Sequence, residues 1–493
     1  MIDMNISNEI EQPRNSLINI NETLKYDNYI KKKRLIRIGI FVGVVIFLII
    51  LIVLIAVLVK SGNSDHTEEK KEKPDKLIYD NIIKATYFTE KENEKINILN
   101  NINNFKVKLF INGEEKTFNN EYIFKEKKEY LVEFQFTEEL NNLSGLFMNI
   151  NNLKNIDLSG IKTKNIKSME KLFYKCEYLE TANLTNLNTY NVETMKSMFE
   201  GCINLKELYM KNFTILNTIN TSSMFSNCYN LTIIDINSFD LTKTENASYM
   251  FEKCLSLEEI SLKNDKESSS IEMNSMFTGC NSLKSLNLEN FQIKTIKAIH
   301  HMFSECQSLE TIDLSKFDTS QVTSISYLFS NCSSFKTINI SEINTKIVIN
   351  MEYAFENCIS LKNIDLQNFN TDSAQTMEGL FFGCSSLELI EIKNLLNVSS
   401  LADIFNECTS LKNVTLSAIK VIHAERVFKE CNSLEYIDLS NFNANNTDVY
   451  INDFFPTNAN NVTLVYNSSL IGLLKDRIPE GWNTIDLNNQ TFY

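Results

Sequence analysis

The sequence predicts a repeat solenoid of the α/β type, in which each turn of about 26 residues supplies one short parallel strand and a return segment. Three observations carry this prediction. Cys recurs at a fixed spacing, Phe stands three residues before each Cys, and an apolar pattern L-x-x-I-x-L follows. A transmembrane helix and a small β-rich cap are expected to precede the solenoid.

The Cys spacing defines the repeat. Ten intervals separate the 11 Cys, and eight of them are 26 residues long. One step before the first Cys the same position holds Ile150, so we number twelve copies, from copy 1 with Ile150 to copy 12 with Cys431. The Cys positions are Cys176, Cys202, Cys228, Cys254, Cys280, Cys306, Cys332, Cys358, Cys384, Cys408 and Cys431.

The apolar residues show how the copies stack. Leu309, Ile312 and Leu314 illustrate L-x-x-I-x-L, which at a period of 20–29 residues is the leucine-rich-repeat signature. A single copy is too short to bury its own apolar face, so neighbouring copies must form one continuous core. Phe is present before the Cys position in every copy and is expected to form an aromatic column that includes Phe173, Phe199 and Phe225.

The Cys column is expected to be structural. Free Cys behaves as a small buried apolar residue, and Ile150 in the same position of copy 1 favours packing, with Cys176, Cys202 and Cys228 as the first thiols of the column. Disulfides between neighbours are geometrically possible, but an odd number of Cys leaves one unpaired. A linear column does not converge as zinc ligands do, so disulfides and metal are the weaker alternatives.

Two columns of the predicted strands point outward. The first, just after the first strand Leu, alternates Lys and Glu almost throughout from Lys154 to Glu435, which favours the intended order of neighbouring copies. The second is rich in Asp and is interpreted either as a ligand-binding or cation-binding stripe or as a solvated face whose carboxylates cap turns; the second interpretation is favoured. If the face binds a ligand, the candidate residues are Tyr209, Asp235, Asp313, Asp365 and Asp438.

Residues 38–59 predict a membrane anchor. This segment has 22 residues without a charge, and about 20 cross the hydrocarbon core as a helix. The run is too long, and too far from the N-terminus, for a cleaved signal peptide. Lys31, Lys32, Lys33, Arg34 and Arg37 flank its N-terminal side, which predicts a single-pass type II protein of the plasma membrane with its repeats outside the cell.

The remaining boundaries follow from composition. Residues 1–37 are predicted to be a cytosolic tail and 60–76 a charged stalk. Residues 77–142 lack the repeat but contain Asn112-Gly113, a hairpin signal, and predict a β-rich cap or an immunoglobulin-like module. The solenoid is expected over 143–442 and a C-terminal cap over 443–493.

The sequence offers little material for chemistry. A formal net charge of -14 argues against nucleic-acid binding. With four His and no recognised catalytic motif, no enzyme activity, catalytic residue, metal or cofactor is expected, and His300 and His301 are interpreted as surface variation. Acceptor motifs for N-glycosylation occur, among others, at Asn142, Asn183, Asn220, Asn246, Asn339, Asn397, Asn413 and Asn467.

The repeat resembles the BspA-like leucine-rich repeats, in a 26-residue variant of surface proteins from mycoplasmas, other bacteria and protists. The residues that carry the resemblance are MFEGCINLKELYM (198–210) and FDTSQVTSISYLFSNCSSFKTINI (317–340). Residues 82–100 also resemble the module that precedes such repeats. The resemblance implies a cell-surface solenoid used in adhesion.

The predicted function is therefore binding of an extracellular protein or glycan, in adhesion or recognition. Two alternatives stay open. In the first, the chain is a structural coat or scaffold that self-associates at the surface. In the second, it is a signalling receptor that acts through residues 1–36.

Overall fold

The structure is a computed structural model and describes residues 81–100, 106–163, 165–234, 239–262, 270–287, 295–315, 317–338, 340, 343–366, 369–443 and 449–487. These residues belong to one compact unit, Leu77–Tyr493. The predicted tail, transmembrane segment and stalk lie outside them. Among the residues that are described, no helix has the length and apolar character needed to span a bilayer.

The described residues form a β-solenoid with very little helix. One α-helix, α1 (Ile471–Leu474), and the short 3-10 segments Leu241–Lys243 and Ser468–Leu470 are present, so the α/β part of the fold prediction is not confirmed. The strands are β1 (Asn81–Phe88), β2 (Glu94–Asn97), β3 (Val107–Ile111), β4 (Glu114–Lys116), β5 (Glu121–Phe124), β6 (Glu129–Phe136), β7 (Leu153–Gly160), β8 (Thr181–Asn183), β9 (Glu207–Tyr209), β10 (Glu259–Ser261), β11 (Ile271–Glu272), β12 (Ser285–Asn287), β13 (Ile296–Ala298), β14 (Leu389–Leu395), β15 (Asn413–Ala418), β16 (Tyr436–Leu439), β17 (Thr463–Tyr466) and β18 (Asn483–Asp486).

The most regular contacts between copies lie in the segment that ends at each Cys. Here alternate backbone N–H groups donate to carbonyls of the next copy, and those between them close short turns within their own copy. Every junction among the described copies has three or four such bonds, so the backbone polar groups of this buried segment are paired. At the junction of copies 3 and 4 the donors and acceptors are Met195 and Asn220 (2.9 Å), Ser197 and Ser222 (2.9 Å), Phe199 and Met224 (2.9 Å), and Gly201 and Ser226 (2.8 Å).

In each copy two residues have a left-handed backbone conformation, with positive φ. They allow the N–H groups to alternate between the next copy and their own copy. They stand five residues and one residue before the Cys position, as Tyr327 (φ 55°) and Asn331 (φ 60°) do in copy 8. Several copies place Gly or Asn there, which adopt this conformation at the least cost. Other copies have Lys, Ser, Tyr, His, Glu, Asp or Arg there, because the inter-copy hydrogen bonds hold the backbone in place.

The L-x-x-I-x-L segments form strands in only some copies. Parallel pairs join β7 to β8 and β9, β10 to β12, and β14 through β18. In the described parts of copies 7 to 9, residues 309–314, 335–338 and 361–366 adopt no strand. The prediction of one parallel strand in every turn is therefore wrong for these copies. Leu309 and Ile312 of copy 7 remain buried, whereas Ile364 and Leu366 of copy 9 are only partly buried.

The Phe column is a continuous stack at the centre of the core. From Phe147 to Phe428, neighbouring ring centroids lie 5.1–6.1 Å apart and the rings are tilted by 5–21°. Every ring of this column is fully or almost fully buried. The aromatic column expected from the sequence is present.

The Cys column runs beside the Phe stack, and its thiols are free and buried. Each Sγ donates to the carbonyl of the Phe in the preceding copy, over distances of 2.9–3.3 Å. Cys therefore fills a small space and also supplies a hydrogen-bond donor. Ile150 lacks that donor, and copy 1 has no preceding Phe carbonyl to satisfy.

A β-sheet closes the N-terminal end. Strand β1 pairs antiparallel with β6 on one side and with β7, the first repeat strand, on the other. The sheet of the N-terminal residues thus continues into copy 1 and covers an edge that would otherwise be open to other chains. The closest approach is at Gly160, where a Cβ atom would lie 2.8 Å from the carbonyl oxygen of Ile82.

At the C-terminal end, β17 and β18 extend the parallel sheet beyond copy 12. Trp482 packs against Phe455 with ring centroids 5.0 Å apart, and its Nε1 donates to the Ala459 carbonyl at 3.0 Å. The only Trp of the sequence is 8% exposed, and it covers the last apolar layer.

Candidate binding surfaces

The strand-face candidates are spread along the solenoid. Tyr209 lies on β9 and is 52% exposed, Asp313 and Asp365 are exposed, and Asp438 on β16 is half-buried. Asp235 lies outside the described residues. No two of the four share a copy, so the structure does not bring them together into one site.

Asp side chains in this column cap the turn that follows. The Ser315 N–H donates to Asp313 Oδ1 at 2.8 Å, and the Ser440 N–H donates to Asp438 Oδ1 at 2.8 Å. Asp157, which was not a candidate, accepts the same bond from Ser159 at 2.9 Å. The turn-capping interpretation therefore describes these aspartates.

Charges on the neighbouring column pair between copies as the alternation predicts. The Nζ–Oε2 distances are 3.9 Å for Lys206 and Glu180, 3.1 Å for Lys284 and Glu258, and 2.8 Å for Lys336 and Glu310. All six side chains are well exposed, so each pair contributes at most about 1 kcal/mol. This column of ion pairs is better suited to setting the order of the copies than to stabilising them.

Two hollows open on the strand face where regular strand pairing is missing. One has a volume of about 640 Å³ and is lined by Lys284, Leu286 and Asp313 among others. The second, of about 790 Å³, lies between copies 9 and 10, just before the repeat shortens. Both volumes fall in the range of small-ligand sites, and each contains one of the aspartates singled out by sequence.

The larger hollow has an acidic and partly apolar lining. Asp365 is brought together with Asp372 and Glu391, and Lys393 pairs with Glu391 on the same strand. Leu389, 54% exposed, supplies an apolar wall. Because carboxylates outnumber cations, this hollow suits a neutral or cationic group better than an anion.

A second surface was missed by the sequence analysis. In copies 7 to 9 the residue five before the Cys is aromatic, and these side chains stack outside the core. His301 and Tyr327 lie 4.5 Å apart at 5°, and Tyr327 and Tyr353 lie 5.1 Å apart at 13°. The signal was present in SYLF and EYAF (326–329 and 352–355), where Tyr precedes the Phe column by two residues.

Carboxylates surround the end of this outer stack. The Tyr353 hydroxyl donates to Glu378 Oε1 at 3.2 Å. Burial, followed by the charge and hydrogen bond of Glu378, raises the pKa of the Tyr353 phenol well above its ordinary value. Two copies beyond Tyr353, Asp403 accepts from two nitrogens of the Arg426 guanidinium, with Nε 2.8 Å from Oδ1. The hydrogen bond to Asp403 raises the pKa of Arg426.

Several titratable groups of the described residues have shifted pKa values, and their positions bear on metal binding and protonation. Within the part of the chain that the structure describes, no group of three or more His, Cys, Asp or Glu could hold a metal ion. Burial raises the pKa of the Cys176 thiol to about 12, which keeps it protonated. Burial also lowers the pKa of His300 and His301, so these imidazoles are neutral near pH 7.

The predicted glycosylation sites differ in whether the Asn side-chain nitrogen, which would carry the glycan, already donates a hydrogen bond. The Asn397 amide donates to the Asp372 carbonyl at 2.6 Å, and the Asn467 amide donates to the Ser440 carbonyl at 2.9 Å. A glycan would have to displace these bonds. Asn142 and Asn413 are exposed, and Asn183, Asn220 and Asn246 are half-buried. Asn339 lies outside the described residues.

Comparison with known proteins gives a family and several distant solved structures. The family described as "Mycoplasma protein of unknown function, DUF285" matches six overlapping segments that together cover residues 86–418. No curated protein matches the chain. A chain in the crystal structure of a TLR13-ssRNA13 complex is similar at 13% identity, over 67% of this chain and 65% of that chain, with a TM-score of 0.20. The match therefore spans less than two thirds of that solved chain.

Proposed function

Because the chain belongs to the DUF285 family of mycoplasma proteins of unknown function, we propose that it is a non-catalytic surface protein of the BspA-like leucine-rich-repeat kind. A helix at 38–59 anchors it in the plasma membrane as a type II protein. The solenoid lies outside the cell and binds a protein or glycan in adhesion or recognition.

The observation that carries this proposal is the pair of hollows on the strand face. They open where copies 7 to 9 lack regular strand pairing, and they are lined by Asp313 in one case and Asp365 in the other. A rigid core with varied outward residues is how repeat proteins present an extended binding surface. The uncharged segment at 38–59 and its basic N-terminal flank support the anchor and its orientation.

The first test concerns location. The full chain is expressed with a C-terminal tag, and intact cells are treated with protease. Cleavage without permeabilisation is expected. A tag that stays protected until the cells are permeabilised would contradict a surface role and favour a membrane-tethered internal scaffold.

The second test concerns binding. Cells that display the chain are screened on arrays of extracellular proteins and glycans, and any saturable ligand is measured against Asp313→Asn with Asp365→Asn. We expect the double variant to weaken binding about tenfold through loss of charge at the hollows. Asp157→Asn, which alters the same turn contact in copy 1, should leave binding unchanged. Ordered lattices of purified chain with no saturable ligand would favour the coat, and a cellular response lost with residues 1–36 would favour the receptor.

A further inference from the structure

A surface with acidic, aromatic and apolar residues surrounds the outer stack, and it shares no residue with the linings of the two strand-face hollows. Ile349 is 41% exposed and precedes the half-buried Glu352 and Tyr353 in copy 9. Copy 8 contributes Tyr327 and copy 10 contributes Glu378. The acidic aromatic surface is defined here as Tyr327, Ile349, Glu352, Tyr353, Glu356 and Glu378.

The aromatic part of this surface is held in one conformation. One face of the Tyr353 ring stacks on Tyr327. The ring also occupies the space beside Gly379, where a Cβ atom would lie 2.2 Å from Tyr353 Cε1. With its hydroxyl on Glu378, the ring has little freedom left to lose, so a partner that packs against its edge pays a small entropic cost.

The three carboxylates are held by neutral donors. Glu352 accepts from the Thr376 hydroxyl at 3.0 Å and from the Asn350 amide at 3.2 Å. The Ser330 hydroxyl donates to Glu356 at 2.6 Å. Among the described residues, none of Glu352, Glu356 and Glu378 forms an ion pair, whereas the strand-face Glu180, Glu258 and Glu310 each meet a Lys. The surface therefore carries three uncompensated negative charges.

The adjoining copies show what such carboxylates bind. Arg426 of copy 12 lies on Asp403 of copy 11, whose side chain is 8% exposed, in a two-pronged contact. Beside it, Asn406 is 7% exposed and its amide group donates to Asp403 at 2.7 Å. The Asn406 Oδ1 has no hydrogen-bond partner among the described residues. Asp403 stands five residues before its Cys, as Tyr353 does, so its contact with Arg426 shows that a carboxylate in this column binds a guanidinium.

We propose that the acidic aromatic surface docks an extended protein segment in which Arg or Lys alternates with aliphatic residues. The cations meet Glu352, Glu356 and Glu378, and the aliphatic residues pack on Ile349 and the edges of the two tyrosines. Anionic partners, including nucleic acids, are repelled by the same charges. This inference goes beyond the proposed function, because it uses different residues and stands or falls independently of the strand-face hollows.

The test uses the full chain in phosphatidylcholine nanodiscs and a fluorescent synthetic peptide of alternating Arg and Leu, with empty nanodiscs as the blank. Glu352→Gln with Glu356→Gln removes two charges from copy 9. The matched control is Glu245→Gln with Glu252→Gln in copy 5, where Ser226 donates to Glu252 at 2.9 Å as Ser330 does to Glu356. The copy 9 pair is expected to weaken peptide binding about tenfold, and the copy 5 pair by less than about twofold.

Three results would overturn the proposal. The first is no binding of the peptide by the wild-type chain. The second is an equal loss in both double variants, which would indicate general attraction to an acidic protein. The third is no loss in the copy 9 variant. Circular dichroism of both variants, expected to match the wild type, shows that the fold is retained, and Asp313→Asn with Asp365→Asn should leave peptide binding unchanged.

Discussion

At the scale of single residues, Cys does more here than its size suggests. Each thiol occupies a fully or almost fully buried space and donates to a Phe carbonyl of the preceding copy. That carbonyl also accepts the backbone N–H of its own copy's Cys, as Phe277 does from Cys280 at 3.0 Å. The sequence predicted the burial but not the bond, because a spacing of residues does not reveal which acceptor a thiol meets.

The buried thiols should make the protein sensitive to alkali. Burial raises the pKa of Cys176, Cys280, Cys332 and Cys384 from an ordinary 9.0 to about 12. Between these values the unfolded chain loses protons that the folded chain keeps, so stability falls as pH rises. Each thiol contributes a slope of about 1.4 kcal/mol per pH unit. We expect cooperative unfolding shortly above pH 9 by circular dichroism, and a denaturation midpoint that is constant from pH 8 to pH 11 would contradict this account.

The Phe stack should be the most sensitive part of the core. Phe277 is fully buried between Phe251 and Phe303, at 5.6 and 5.7 Å. Phe277→Ala is expected to cost about 3–5 kcal/mol in the free energy of unfolding. Urea denaturation would measure it, with the exposed Tyr190→Ala as a control that should change stability by less than about 0.5 kcal/mol.

At the scale of elements, the most regular backbone hydrogen bonds between copies are not in the predicted strands. L-x-x-I-x-L is the visible pattern, yet the continuous ladder lies in the segment before each Cys. Its two left-handed positions could not be recognised from sequence, because Lys171, Tyr249 and Arg426 occupy them as well as Gly and Asn. The inter-copy bonds, which exist only once copies stack, determine that conformation.

The same limit applies to the candidate sites. Asp313 and Asp365 could be identified because they point outward in a recurring column. The hollows around them depend on missing strand pairs in copies 7 to 9, which no local pattern predicts. The tyrosine stack could have been found by aligning the copies at Phe, since it depends on position alone.

The close contact at Gly160 can be used to test how the N-terminal sheet is attached to copy 1. Its Cα approaches the Ile82 carbonyl so closely that an added Cβ would lie at 2.8 Å. Gly160→Ala is therefore expected to push β1 from β7 and to cost about 1–3 kcal/mol. Hydrogen exchange should speed up at Ala85 and Thr86, which pair with β7, while amides of copies 6 to 10 keep their protection. Unchanged exchange in β1 would show that the contact relaxes at no cost.

At the scale of the whole molecule, stability is a sum over copies and their junctions. Deleting residues 307–332 removes one full copy and leaves Cys306 followed by Ser333, which restores the frame of every column. We expect this chain to fold with the same spectrum and a modestly lower melting temperature.

Deleting only residues 307–319 breaks that frame. It places apolar positions of one copy against outward positions of the next, so the chain is expected to lose its cooperative transition in calorimetry. Equal behaviour of the two deletions would mean that the copies do not need a common register.

The backbone hydrogen bonds between copies also determine how the solenoid responds to a pulling force. They join copy to copy in series, so a pull between the two ends of the solenoid places the same force on every junction. Three such bonds connect copies 7 and 8, where the described residues show none between Ile299 and Ser324, against four on either side. Under tension we expect the junction of copies 7 and 8 to open before the two junctions beside it, so that the chain lengthens there while those neighbours stay closed.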